Sequence, residues 1–111
     1  MANLADVLEA RFGVRTEARA SAVGFNVDIA RTSVLRNDPA RLAAVIVNLS
    51  AVAVFLAPDP LVSATHGIRL AANGGSLILT WDADFDVTGW EWFGVADADN
   101  ADVYTLEVIA R

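Results

Sequence analysis

The chain has no cysteine and no lysine, and only one histidine, one methionine and one tyrosine. Without cysteine it has neither disulfides nor thiolate metal ligands, and its redox compartment leaves no trace in the sequence. Without lysine, all eight of its cations are arginine, which reads as genomic base composition rather than selection for bidentate contacts. The lone histidine, His66 in SATHGI, has no cysteine or lysine to serve as a partner nucleophile. Ser63, His66 and a distant aspartate can be drawn as a triad, but three common residues without a strained elbow motif carry no specificity. His66 therefore reads as a loop histidine, no catalytic residue is assigned, and the expectation is a protein that is not an enzyme.

Other absences narrow the classes further. There is no glycine-rich phosphate loop, because NGGS lies between strand-like segments and opens no helix. The first residues, MANLADVLEA, lack the basic lead and continuous apolar stretch of a secretory signal, so none is expected. The apolar run from Leu42 to Ala57 holds fourteen apolar residues in sixteen. That is short of the roughly 20 that a spanning helix needs, and Asn48, Ser50 and the β-branched valines also argue against a membrane segment. WDADFDV begins like an oxygen-rich cation loop. Counted from Asp82, however, Val87 and Phe93 stand where an EF-hand requires glycine and glutamate. The simpler reading is an extended amphipathic segment, with Trp81, Ala83, Phe85 and Val87 alternating with a solvated acidic face. Asp97, Asp99 and Asp102 make a second acidic turn where Ca²⁺ is possible without specified geometry. No metal and no cofactor is assigned.

What is present is apolar bulk with uneven charge. Apolar residues make up 55% of 111 residues and charged ones 20%, which excludes disorder and predicts one globular domain. The net charge of −6 divides unequally: residues 1–41 carry six arginines against five acids, and residues 42–111 carry two against nine. An acidic body repels phosphate, so direct nucleic-acid binding is not expected. The weakly basic front suits an acidic neighbour, including another copy of the chain.

Along the chain, Asn3 caps a predicted helix whose stripe is Leu4, Val7, Leu8 and Phe12, stopped by Gly13. At about nine residues it is marginal unless that stripe is buried. VRTEARASAVG then reads as an extended connector, so residues 1–22 form a helix and arm, and 23–111 form the main domain. In the domain the period becomes two. FNVDIA, SVLR, Arg41–Val47, Ala51–Ala57, Ile68–Ala71, Ser76–Trp81, Trp90–Ala96 and Asp102–Ile109 read as strands separated by turn residues. Seven or eight short strands predict a mainly β fold, an antiparallel β-sandwich or small barrel. Asn-Leu-Ser after Val47 reads as a hairpin connection.

The two strands of the apolar run are greasy on both faces, so both faces need cover. The arm, a second sheet or another subunit must supply it. Val45, Val47 and Phe55 are therefore candidate contact residues. So are Leu4, Val7, Leu8 and Phe12 of the arm, with Arg11, Arg15 and Arg19 meeting an acidic surface. Trp90 and Trp92, two apart, share a face in a strand; buried they are core or subunit contact, and exposed they are a platform for sugar rings.

The order of features has a family likeness. RTSVLRNDPARLAAVIVNLSAVAVFLAP, THGIRLAANGGSLIL and EWFGVADADNADVYTLEVI, spanning roughly residues 32–109, resemble small β-rich structural proteins of tailed bacteriophages. The matching elements are Asn37, Pro39, Arg41, Asn48, Gly67, Leu70 and Gly74. The resemblance implies a virion component of the capsid decoration, head-fibre or tail accessory kind. Such a component is assembled as homo-oligomers, often trimers, on a major capsid or other virion protein, without enzymatic residues; the charge balance and the short apolar run separately lead to the expectation of no direct nucleic-acid contact and no membrane. The alternative expectation is a carbohydrate-binding sandwich that uses Trp90 and Trp92.

Overall fold

The computed structural model describes residues 16–110. The predicted N-terminal helix, with Leu4, Val7, Leu8, Arg11 and Phe12, and the neighbouring Arg15 lie outside the described residues. Within them the chain is mainly β. Strand pairing joins β1 (Thr16–Ala20), β2 (Asn26–Val27), β4 (Arg41–Asn48), β7 (Ser76–Thr80) and β9 (Ala101–Ala110) in one sheet. A second sheet holds β3 (Thr32–Leu35), β5 (Val54–Ala57), β6 (Ile68–Leu70) and β8 (Trp92–Ala96). The first runs β1-β9-β4-β7, with β2 also pairing β9; the second runs β3-β8-β5-β6, and the pairing throughout is antiparallel. The expected β-sandwich is what forms. No helix among the described residues is long and apolar enough to cross a membrane.

The core lies between the sheets. Val27, Ile46, Val54 and Leu56 are fully enclosed there, with Leu35, Leu79 and Trp92 beside them. Gly94 sits at a tight point of this core. A Cβ at that position would come within 2.9 Å of Val34 Cγ2 and 3.2 Å of Leu56 Cδ2, so glycine leaves room for side chains of the two flanking strands, β3 and β5, to close over β8.

Several segments depart from the sequence reading. Part of the connector, Thr16–Ala20, is an edge strand in register with Leu106–Ala110. FNVDIA pairs only through Asn26 and Val27. Beyond them Ile29 is 60% exposed, because the Ile29 N–H turns to Asp99 Oδ1 while Asp28 Oδ1 accepts the Asn100 N–H. WDADFDV is not extended. Trp81–Asp84 is one helical turn and Phe85–Gly89 a 3-10 turn, started by Asp84, whose carboxylate reaches back to accept the Thr80 N–H at 2.8 Å.

The largest correction concerns the apolar run. Its two strands do not form a hairpin: β4 belongs to one sheet and β5 to the other. Asn-Leu-Ser opens an arch between them. Asn48 is completely buried and organises that arch. Its Nδ2 donates to the carbonyls of Val52, Leu70 and Ala71, and its Oδ1 accepts from the Ser50 N–H and hydroxyl. The return arch at Asn73–Gly75, also between sheets, bonds to the first: Gly74 N–H donates to Asn48 O and Asn73 N–H to Ser50 O. Positive φ angles at Asn73 (60°) and Gly74 (119°) make that turn possible. Every buried polar atom of Asn48 is thus committed. Asn48→Ala leaves backbone carbonyls unpaired in the core, and urea unfolding is expected to show a loss of about 2–4 kcal/mol. A loss below about 0.5 kcal/mol would mean that the arches hold without it.

Candidate functional site

Separating β4 from β5 decides which apolar faces are hidden. All of β5 is buried. Its inner residues meet the opposite sheet, and its outer residues Phe55 and Ala57 form a second cluster with Ala53 and Val62, against which Phe93 and Val95 pack. Val62 belongs to the β5–β6 connection, so the chain covers this face itself. Arg31 adds to the cover, with its guanidinium 5.4 Å from the Phe93 ring centre and donating to Pro60 O. Phe55, a candidate contact residue, is only 8% exposed and unavailable to a partner.

The outer face of the first sheet is different. Residues opposite one another in antiparallel register share a face, so Val45 lies between Ile78 and Leu106, Val47 beside Tyr104, and Ala43 beside Val108. Ala18 and Ala20 extend the same face across β1. Val45 and Val47 are half-buried by these neighbours, while Ile78 is 63% and Tyr104 40% exposed. From Val47 to the Ala43–Val108 end the face carries no charge on any strand. Asp102 stands alone beyond Tyr104.

At the Ala43 end, β4 carries a bulge: Arg41 pairs with Ile109, and Ala43 with Val108. The extra residue turns Arg41 onto the core face, where it is 3% exposed. Its Nε donates to Glu107 Oε1 at 2.6 Å, and Nη2 also meets that carboxylate. Nη1 donates to Thr88 O and Trp90 O, and Nη2 to Arg36 O. Arg19 of β1 closes the group, with Nε donating to Glu107 Oε2 at 2.9 Å and Nη2 to Asp38 Oδ2 at 3.1 Å. Arg19 thus meets acids of its own chain. The Ala40 N–H, then Arg19, holds the Asp38 carboxyl below its ordinary pKa.

This polar knot fixes a groove of about 540 Å³ outside it, lined by Trp81, Phe85 and Trp90 together with Asn37, Leu42 and Asp86. The three rings are 54%, 76% and 46% exposed. Their backbone is pinned: Trp90 N–H donates to Val87 O, and Asp38 N–H donates to Gly89 O at 2.8 Å. Phe85 has φ 54°, a costly conformation for a bulky residue. Trp92 does not share Trp90's face. It is 2% exposed and donates its indole N–H to Val87 O, because Trp90 belongs to the turn before β8. The sequence pairing of Trp90 with Trp92 missed Trp81 and Phe85, which the helical turn brings to Trp90.

The other sequence candidates lie apart from this groove. His66 Nε2 is 3.0 Å from Asp59 Oδ2 on an exposed loop, and that contact, with the Leu61 N–H, lowers the Asp59 pKa. Ser63 Oγ bonds Thr65. The acidic turn commits Asp99 to the Ile29 N–H. No group of acids and histidine that could hold a metal ion occurs among the described residues. Compared with protein-family models, curated proteins and solved structures, the chain finds no match.

Arg41→Met strands the Glu107 carboxylate in the core, with only the half-exposed Arg19 as partner. Denaturant unfolding is expected to show a loss of about 3–5 kcal/mol, partly recovered in Arg41→Met/Glu107→Leu. Asp38 contributes stability that is present above its unfolded-state pKa and lost as pH falls through its lowered folded value. The acid limb of the unfolding midpoint is therefore shallower in Asp38→Asn, by a small amount because its partner Arg19 is 45% exposed and solvent screens the pair.

Proposed function

We propose that this chain is a non-enzymatic structural protein of a phage-like particle that assembles with copies of itself through the outer face of its first sheet. The uncharged face around Val45, Val47, Ile78 and Leu106 carries the reading. A sandwich with one solvated face normally alternates apolar-in with polar-out. Here the outward residues of β4, Ala43, Val45 and Val47, are all apolar, in a chain whose net charge is −6.

A second copy is the occupant that fits. Copies packed around an axis bring bodies of the same net charge of −6 together, and contact through an uncharged face keeps that repulsion out of the interface. The resemblance to capsid decoration and tail accessory proteins supplies the wider setting. In that setting a homo-oligomer, a trimer in the decoration type, caps or cements a major capsid or other virion protein. The segment preceding Thr16 reaches the neighbour, and the protein resides in the virion.

Light scattering across micromolar to millimolar concentrations is expected to give a multiple of the 11.8 kDa chain mass. Ile78→Glu, at an exposed position outside the core, is expected to return the protein to monomer, with an unfolding midpoint that no longer rises with protein concentration as the parent's does. A parent protein that stays monomeric throughout, or an Ile78→Glu variant that associates as the parent does, overturns the reading.

A further inference from the structure

We propose that the groove between Trp81, Phe85 and Trp90 binds a neutral carbohydrate. The site does not depend on the assembly reading: its rings lie past the last β4–β7 pair, Ala43 with Thr80, whereas the assembly face runs the other way along those strands.

The ligand class follows from what the groove offers and what it withholds. Three aromatic residues, each about half to three-quarters exposed, border it, presenting flat apolar surface with a negative π face. A pyranose ring matches such a surface with its axial C–H face while keeping its hydroxyls at the edge. Asn37 and Asp86 lie on the same rim and provide an amide and a carboxylate for those hydroxyls.

An anionic ligand finds no counter-charge. Arg41 is the only cation among the described lining residues, and all its donors are committed to Glu107 and to the carbonyls of Thr88, Trp90 and Arg36. Asp82, beside Trp81, and Asp86 also repel negative charge. A quaternary ammonium requires rings closed around it within about 6 Å of each centre and shielded from water. This groove is open and, at about 540 Å³, far larger than such a head group. A neutral ring with an apolar face and hydrogen-bonding edges remains.

The backbone that carries Phe85 and Trp90 is also held in place before any ligand arrives, which lowers the ordering cost of binding. Trp90 is fixed by the hydrogen bond from its N–H to Val87 O and by Arg41 on its carbonyl. Phe85 is fixed by its N–H donating to Trp81 O.

The test uses the full chain on an array of neutral gluco-, galacto-, manno- and N-acetylglucosamine-based oligosaccharides, followed by titration of the best binder against tryptophan fluorescence. Binding of at least one oligosaccharide is expected. It should weaken about tenfold or more in Trp81→Ala and in Trp90→Ala, with unchanged circular dichroism and unfolding midpoint. Phe85→Ala, at the most exposed ring, carries the test if either tryptophan variant loses stability. Ile78→Glu, on the assembly face, is expected to bind as the parent does, which separates failure of this site from failure of the assembly reading. Absence of binding to every oligosaccharide, binding that survives all three ring substitutions, or choline binding lost in those same variants overturns the proposal; the last reassigns the groove to a cation.

Discussion

Arg41 is a full positive charge taken almost entirely out of water, and most of this end of the molecule is arranged to make that tolerable. A guanidinium has five N–H donors in a rigid fork, and here they meet Glu107 twice and three main-chain carbonyls. Those acceptors come from β9, from Arg36 immediately after β3, and from the turn leading into β8. The arginine therefore sets the spacing of three chain segments at once. Such a pair adds little net stability over an apolar replacement, yet removing one partner is severe. Its effect is to specify which segments meet and in which register.

Asn48 does the neutral equivalent at the other end of the same strand. Between the two, β4 presents Ala44 and Ile46 to the core, and apolar packing alone does not distinguish one register from another with equal burial. A charged anchor at Arg41 and an amide anchor at Asn48 make a two-residue slip costly, because either shift strands several polar groups together. The arches at 48–53 and 71–75, and with them the assignment of β4 and β5 to opposite sheets, follow from the second anchor.

The strand periods of Arg41–Val47, Ser76–Trp81 and Asp102–Ile109 were legible because alternation is a local property that survives into the sheet. Which sheet a strand joins was not. Asn-Leu-Ser looks the same whether it closes a hairpin or opens an arch, and the deciding contacts run from Asn48 to Leu70, 22 residues away. The bulge at Arg41 was equally invisible, since a strict period of two puts Leu42, rather than Arg41, on the face of Ala44 and Ile46. In the candidate groove only Trp90 was legible. The alternation of aromatic and acidic residues from Trp81 to Val87 has a strand period, and it was overridden by Asp84 capping Thr80 and by the turn that follows. Outward apolar residues on β4 were legible as an excess of grease. Half of that excess, on β5, proved to be covered by the chain's own β5–β6 connection.

The acidic residues sort by position in a way that bears on both surfaces. Asp82, Asp84 and Asp86 follow β7 at the Ala43–Val108 end of the first sheet, while Asp97, Asp99 and Asp102 precede or begin β9 at the Asn48–Val103 end. The uncharged face lies between two acidic ends. In the proposed assembly this face packs about 10 Å from a neighbouring copy, a distance comparable to the Debye length of about 8–10 Å at moderate salt. Stacking that superposes the acidic ends then carries repulsion that a crossed or staggered stacking avoids. The charge pattern thus selects among orientations for a contact whose attraction is non-directional. The acids nearest the groove also keep anions from it, while Asp86 on its rim can still accept from the hydroxyls of a neutral ring, so one distribution of charge serves both surfaces.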